Sequence, residues 1–241
     1  MTPMTELLAQ TDAYLREFDA TVAEVEPAEC AVALDRTAFY PGGGGQPCDL
    51  GWLAGLPVVK VQRRGEQIWH WLGEAEAGAA LPPAGASVHG VLDWERRYAL
   101  MRTHTAFHIL CGVVWRDYRA QVTGGNLEPL KGRMDFEFET LHGDLVHEIE
   151  AKLAVEVAAA RPVHVRLLPR EEAFRIPDLI RTKINLLPEG ITIVRTVEIE
   201  GLDLQADGGT HVANTREVGA VRVAGYKSKG RINKRIELAL D

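Results

Sequence analysis

The chain has 241 residues, 46% hydrophobic and 25% charged, a globular composition that excludes a largely disordered protein and leaves room for two domains. Its net charge of −7 excludes a uniformly basic surface for nucleic acid. Because the chain has no run of about 18 apolar residues, no recognisable signal peptide and only three scattered cysteines, we predict a cytoplasmic protein with reduced thiols and no membrane segment.

The first part of the chain predicts a β-rich domain. An amphipathic helix is expected over residues 1–18. Alternating or β-branched runs then predict strands, which are expected over residues 21–26, 30–35, 51–64, 67–73 and 88–94. Turns rich in Gly and Pro separate them at residues 41–47 and 77–86. Short strands with frequent turns are typical of a small barrel, so we assign residues 1–92 to a β-barrel-like N-terminal domain.

Residues 93–241 predict a second domain of the α+β class. Apolar residues at helical spacing indicate a helix over residues 93–118 with Asp93 as its N-cap, and a second helix over 141–160 that ends at Arg161-Pro162. A short helix is expected at 169–176. Strands are predicted over residues 133–139, 162–168, 191–199, 219–226 and 234–240, and polar loops over 120–129 and 201–219. Two helices on an antiparallel or mixed sheet make up this domain.

Charge is unevenly distributed along the chain. Residues 1–35 hold eight acidic residues and a single base, Arg16, and so carry the whole net charge. Residues 222–235 hold six Lys or Arg residues and no acid. This basic segment could bind nucleic-acid phosphates, or it could be a loop and an edge strand that lysines keep soluble.

Two pairs of residues suit a metal ion. His104 and His108 are four residues apart on the first predicted helix, so both imidazoles project from one face and can reach the same ion. Asp207 and His211 flank two glycines and a threonine in a polar loop, where they can fold back onto one ion. Each pair alone is more often structural; together they provide four ligands of suitable types.

A third segment, PGGGGQP at residues 41–47, can bring backbone close to a ligand. It lacks the Lys-Ser/Thr pair of a nucleotide-binding P-loop, so that function is excluded. A flexible hairpin tip is the alternative.

Three segments resemble successive motifs of the alanyl-tRNA synthetase editing domain. They are TAFYPGGGGQPCDLG (37–51), VLDWERRYALMRTHTAFHIL (91–110) and DGGTHVANTREVG (207–219). No aminoacylation domain is recognisable, so the chain resembles the freestanding AlaX-type proteins of medium size. The resemblance implies a metal-dependent aminoacyl-tRNA deacylase that removes serine, or glycine, from mischarged tRNA(Ala) in trans, with no obligate protein partner.

The resemblance also implies roles for individual residues. One Zn²⁺ per chain would be bound by His104, His108, Asp207 and His211. Position 207 is usually Cys in the family; an aspartate oxygen here weakens the preference for zinc and admits other divalent ions. Gln46 would position the ester or the water, and Thr123 would contact the serine hydroxyl, with Thr103 and Thr105 as rivals. Substrate contacts are further expected at Gly43, Gly44, Gly45, Thr103 and Thr210.

Three other functions remain open at this point. Threonyl-tRNA synthetase editing domains share the two-histidine helix, which allows editing of Ser-tRNA(Thr). A non-catalytic, zinc-stabilised tRNA-binding module with a decayed site would account for Asp207. A metallohydrolase of an unrelated small ester would require the order of the motifs to be coincidental.

Overall fold

The computed structural model describes residues 4–74, 80–183, 187 and 190–241. Its α+β class is the predicted one. The chain forms two compact units, one of Met1–Gly43 with Pro47–Tyr98 and one of Gly44–Gln46 with Ala99–Asp241. Within the described ranges, none of the helices is long and apolar enough to cross a membrane.

The first unit is built around a closed barrel. Its strands are β1 (Glu6–Leu7), β2 (Glu17–Glu26), β3 (Ala31–Leu34), β4 (Arg36–Thr37), β5 (Gly51–Leu53), β6 (Leu56–Arg64), β7 (Gln67–Leu72) and β8 (Ser87–Leu92). The barrel closes in the order β2-β3-β7-β6-β5-β8, with antiparallel pairs throughout. Alternate residues of β2 point inward, so Phe18, Ala20 and Val22 are buried in the apolar interior. The predicted barrel-like domain is therefore a closed barrel.

The helix predicted over residues 1–18 is wrong. The described part of this segment contains β1, a single 3₁₀ turn at Leu8–Gln10 and the start of β2. Tertiary pairing outweighs the helical pattern here. Glu6 and Leu7 pair in parallel with β4, and the buried Thr5 hydroxyl donates to the Leu34 carbonyl.

The strand predicted over residues 51–64 is a hairpin of β5 and β6. Ala54 and Gly55 both have positive φ, 50° and 79°, which is the geometry of a tight two-residue hairpin turn. Of the turn predicted at 77–86, residues 77–79 lie outside the described residues.

The rest of the chain forms helices and two antiparallel sheets. The elements are α1 (Trp94–Tyr118), β9 (Val122–Glu128), β10 (Lys131–Glu137), α2 (Gly143–Ala158), β11 (Val163–Pro169), α3 (Arg170–Ala173), β12 (Ile193–Ile199), β13 (Asp203–Ala206), β14 (Val221–Ser228) and β15 (Asn233–Leu240). The sheet orders are β14-β15-β10-β9 and β11-β12-β13. The predicted N-cap of α1 is confirmed, because the Asp93 carboxylate accepts from the Arg96 amide.

Two strands lie where loops were expected. β9 occupies most of 120–129 and pairs with β10, although its Gly124 and Gly125 give it no apolar alternation. β13 lies inside 201–219 and pairs with β12 over four residues. Backbone pairing, of β9 with β10 and of β13 with β12, makes these two segments strands.

The basic segment 222–235 forms the hairpin of β14 and β15. The side chains of Lys229 and Arg235 lie at Asp135, and Lys227 pairs with Glu237. Lys234 is buried and donates to the carbonyls of Gly230 and Arg231 in the turn. Four of the six basic side chains thus have intramolecular partners, which favours the structural interpretation of this segment.

One buried histidine of the barrel should make the protein acid-sensitive. The His70 ring is fully buried, with Nε2 2.9 Å from Thr37 Oγ1, and burial lowers its pKa to about 4. The unfolded chain binds this proton near pH 6.5, so the stabilising contribution is present above that pH and is lost as the pH falls to about 4. The free energy of unfolding should fall by about 3 kcal/mol over this window.

Urea denaturation of the full chain at pH 7 and at pH 4.5, followed by tryptophan fluorescence, measures this effect. His70→Gln should show a correspondingly weaker dependence on pH. Equal pH dependence in the two proteins would contradict the assignment.

Candidate metal centre

Four side chains converge in the second unit. His104 and His108 come from α1, one helical turn apart, and Asp207 and His211 come from the loop after β13. One ligand atom from each lies within 4.8 Å of all the others. The three imidazoles are about 95% buried and their ring centroids are 4.3 to 5.1 Å apart. The geometry therefore brings together the two pairs that spacing singled out.

Each imidazole has an oxygen partner at Nδ1. The contacts are His104 with Gln46 Oε1 at 2.8 Å, His108 with Asp203 Oδ2 at 3.1 Å, and His211 with Thr105 Oγ1 at 3.2 Å. The Gln46 amide oxygen and the Asp203 carboxylate can only accept, which selects for His104 and His108 the tautomer that leaves Nε2 as a ligand, whereas the Thr105 hydroxyl can accept from or donate to His211. Nε2 of His211 and of His104 lie 3.0 and 3.6 Å from the Asp207 carboxylate.

The Asp207 carboxylate is ionised and fixed. The Gly209 amide donates to Oδ2 at 2.7 Å, and Arg195 donates to the Asp207 carbonyl at 2.9 Å. Burial alone would raise the pKa of Asp207, but the histidines, His104 foremost, hold it well below the usual range.

The histidines differ in basicity. Burial lowers the pKa of His104 to about 4 and that of His211 well below its ordinary value. Burial also acts to lower the pKa of His108, but the hydrogen bond with Asp203 and the charge of Asp207 raise it overall. Neutral imidazoles are the form that binds metal ions.

Gln46 connects the loop of residues 207–211 to helix α1 through hydrogen bonds. It is 2% exposed; its Oε1 accepts from the Thr210 amide at 3.2 Å and its Nε2 donates to Thr210 Oγ1 at 2.9 Å. The same Oε1 faces His104 Nδ1. Gln46 therefore positions a histidine and the 207–211 loop together, a role that the glycine-rich motif did not reveal.

Gln46→Ala should weaken metal binding. The variant removes the acceptor at His104 and the clamp on Thr210, and loss of such an outer partner typically costs about 10- to 100-fold in metal affinity. Competition with a chromophoric zinc chelator measures it, with the exposed Gln62→Ala as control. Unchanged affinity in Gln46→Ala would contradict the clamp.

The glycine-rich loop approaches the same place. Gly44 and Gly45 have positive φ, 58° and 91°, which favours glycine. A Cβ on Gly44 would lie 4.0 Å from Asp207 Oδ1, and the Gly45 carbonyl accepts from the Leu127 amide. The Gly43 carbonyl accepts from the Tyr40 hydroxyl in the first unit.

The threonines separate into two groups. Thr105 and Thr210 contact the centre through His211 and Gln46. The buried Thr103 hydroxyl instead donates to the Ala99 carbonyl and accepts from the Leu130 amide. Thr123 is exposed on β9 and donates to Asn233 Oδ1. The structure therefore gives Thr103 and Thr123 partners outside the four-residue cluster.

Sequence reasoning missed two charged residues of the centre. Asp203 accepts from His108, and Arg195 holds Asp207. Asp203 precedes Asp207 by four residues in the same polar segment, which is a weak signal; Arg195, inside a strand, gives none.

Comparison with known proteins agrees with this architecture. Residues 194–237 match the model of the threonyl and alanyl tRNA synthetase second additional domain. The matched segment contains Asp207 and His211, so this part of the chain is of the class found in threonyl- and alanyl-tRNA synthetases.

Relatives define the family more narrowly. The alanyl-tRNA editing protein AlaX-M of Methanosarcina acetivorans is 39% identical, covering 98% of this chain and 99% of the relative. That of Saccharolobus solfataricus is 37% identical over 97% and 98%. The alanine–tRNA ligase of Pyrobaculum aerophilum is 38% identical over 92% of this chain but 25% of its own length. The chain belongs to the AlaX-M family of alanyl-tRNA editing proteins, which confirms the predicted resemblance.

Proposed function

We propose that this protein is a metal-dependent aminoacyl-tRNA deacylase that removes serine, or glycine, from mischarged tRNA(Ala) by hydrolysis of the ester. The buried cluster of three histidines and one aspartate carries the proposal, because one ligand atom from each residue lies within 4.8 Å of all the others. The relatives' name, alanyl-tRNA editing protein, supplies the substrate class.

The donor set fits a divalent cation. Three nitrogens and one carboxylate oxygen suit Zn²⁺, and the hard oxygen also admits other divalent ions. When bound, the ion supplies Lewis acidity for ester hydrolysis. His104, His108, Asp207 and His211 would hold it.

The surrounding residues hold the reacting groups. Gln46 is a poor base, so its contribution is to keep His104 and the loop in place. The Thr210 hydroxyl oxygen accepts from Gln46 Nε2, which leaves the hydroxyl proton to be donated to a substrate oxygen. Backbone at Gly44 and Gly45 can approach the substrate ester without a side chain in the way.

Asp207 supports a working site over a decayed one. Its carboxylate points at the imidazoles, held by the Gly209 amide, in the position that a ligand occupies. The names of the relatives refer to alanyl-tRNA and to alanine, which supports tRNA(Ala) over tRNA(Thr) as the substrate of this chain.

Deacylation assays test the proposal. Purified protein, first stripped of metal and then given Zn²⁺, would be incubated with Ser-tRNA(Ala), Gly-tRNA(Ala), Ala-tRNA(Ala) and Ser-tRNA(Thr). We expect zinc-dependent loss of serine from tRNA(Ala) with alanine spared. No hydrolysis of any substrate at any metal level would contradict the proposal and favour the binding module, whereas a preference for Ser-tRNA(Thr) would favour the threonyl alternative.

Thr123→Val should reduce discrimination between serine and alanine. If Thr123 turns from Asn233 to the serine hydroxyl, loss of one hydrogen bond of about 1 kcal/mol lowers the serine-to-alanine rate ratio roughly fivefold. Parallel rates on Ser-tRNA(Ala) and Ala-tRNA(Ala) measure it, and the exposed Thr192→Val is the control. An unchanged ratio would show that Thr123 does not determine specificity.

A further inference from the structure

Asp203, the first residue of β13, contacts the candidate metal centre through the Nδ1 atom of His108. Its side chain is completely buried, and Oδ2 lies 3.1 Å from His108 Nδ1 while it accepts from Gln205 Nε2 at 2.7 Å. We propose that Asp203 is the positioning residue for His108: it holds the imidazole with Nδ1 protonated and Nε2 directed at the metal ion. The proposal rests on the metal centre of the proposed function.

The fold brings this carboxylate against α1 at a glycine. A Cβ on Gly112 would lie 2.8 Å from Leu202 Cγ and 3.1 Å from Asp203 Cβ. Since Gly112 is one turn beyond His108, β13 reaches the helix at the level where His108 presents Nδ1. The contact is therefore a consequence of close packing and not of a mobile surface side chain.

The second oxygen of Asp203 faces a positive charge. Arg181 Nε lies 3.5 Å from Oδ1, and its guanidinium lies over the Trp115 ring at 4.8 Å. Neither Oδ1 nor Arg181 Nε makes a hydrogen bond within the part of the chain that the structure describes. A buried carboxylate needs a compensating charge, and Arg181 provides it while leaving Oδ2 to His108.

His108 is thereby distinguished from the other two imidazoles. The Nδ1 partners of His104 and His211 are an amide oxygen and a hydroxyl, both neutral. A charged acceptor binds more strongly and makes the opposite nitrogen a more basic ligand. Loss of Asp203 should therefore weaken the centre through His108 in particular.

Zinc affinity measured by chelator competition tests the role of Asp203. Asp203→Ala should weaken zinc binding about 10- to 100-fold. Asp203→Asn should bind zinc more tightly than Asp203→Ala, because an amide oxygen can still accept from His108. The matched control is Glu156→Gln, a buried acid of the same unit that pairs with Arg116 and Arg161 and should keep its zinc affinity.

Two results would overturn the proposal. One is an Asp203→Ala affinity within twofold of the unchanged protein; the other is an equal loss in Asp203→Ala, Asp203→Asn and Glu156→Gln, which would indicate general destabilisation. If the unchanged protein binds no divalent ion, the metal centre of the proposed function fails and the role of Asp203 fails with it. Normal zinc binding with unaffected variants refutes Asp203 alone.

Histidine tautomers provide a readout that does not depend on folding of the alanine variant. Two-bond ¹H–¹⁵N spectra of the zinc-loaded, ¹⁵N-histidine-labelled protein should show His108 protonated at Nδ1, with that signal shifted in Asp203→Asn. A His108 ring protonated at Nε2 would overturn the proposal.

Discussion

His211→Ala is expected to lose both bound metal and deacylase activity. His211 is 4% exposed, and its ring lies 4.3 and 4.6 Å from those of His104 and His108. Removing one of the four candidate donors leaves three ligand atoms at the centre. Zinc affinity and the rate on Ser-tRNA(Ala) should each fall by more than the roughly 100-fold upper range for loss of an outer partner.

Metal content by elemental analysis and single-turnover deacylation measure the two losses separately. His147→Ala is the matched control, since His147 is an exposed histidine on α2, outside the cluster. Loss of activity with full metal content would place His211 in substrate binding instead. Full activity and full metal content would contradict the proposed centre.

Local pattern was sufficient for much of the fold. α1 and α2 each carry apolar residues at helical spacing, and α2 ends near Pro162, which cannot continue a helix. Strands β2 and β8 alternate between buried and more exposed residues, so a period of two was visible there without any knowledge of their partners.

The sequence pattern predicted the wrong conformation where pairing with a distant strand determines the structure. β9 is rich in Gly and polar residues, and its backbone bonds to β10 are what make it a strand. The start of the chain has helical spacing, but Glu6 and Leu7 gain hydrogen bonds from β4. Contacts of this kind join distant residues, and a sequence window does not contain them.

The candidate site likewise contains residues that sequence spacing could predict and residues that only tertiary contacts bring in. His104 and His108 could be paired in advance because the helix itself sets their geometry. Gln46, by contrast, joins His104 and Thr210 across 58 and 164 residues, and Asp203 reaches His108 across 95. The four residues of the cluster were thus predictable as a group from spacing, whereas the residues that orient them depend on the tertiary structure.

The second large effect is expected from Gly209→Ala. A Cβ at Gly209 would lie 2.2 Å from His104 Cε1, 2.3 Å from His104 Nδ1 and 2.8 Å from Gln46 Oε1. These distances are far inside van der Waals contact, and both neighbours are buried, so the loop must move away from α1. That movement shifts Asp207 and His211, and a displacement of about 1 Å at a reacting centre can cost roughly 100-fold in rate.

Gly208→Ala is the control that tests whether a steric clash causes the effect of Gly209→Ala. Gly208 is the adjacent glycine, and a Cβ there would have no heavy atom within 4 Å. The two substitutions are chemically identical, and neither glycine has a φ in the left-handed region, so backbone strain does not separate them. We expect near-normal zinc affinity and deacylation in Gly208→Ala and loss of both in Gly209→Ala. Equal loss in the two variants would mean that the loop needs glycine for its flexibility, and equal tolerance would mean that the loop does not lie against His104.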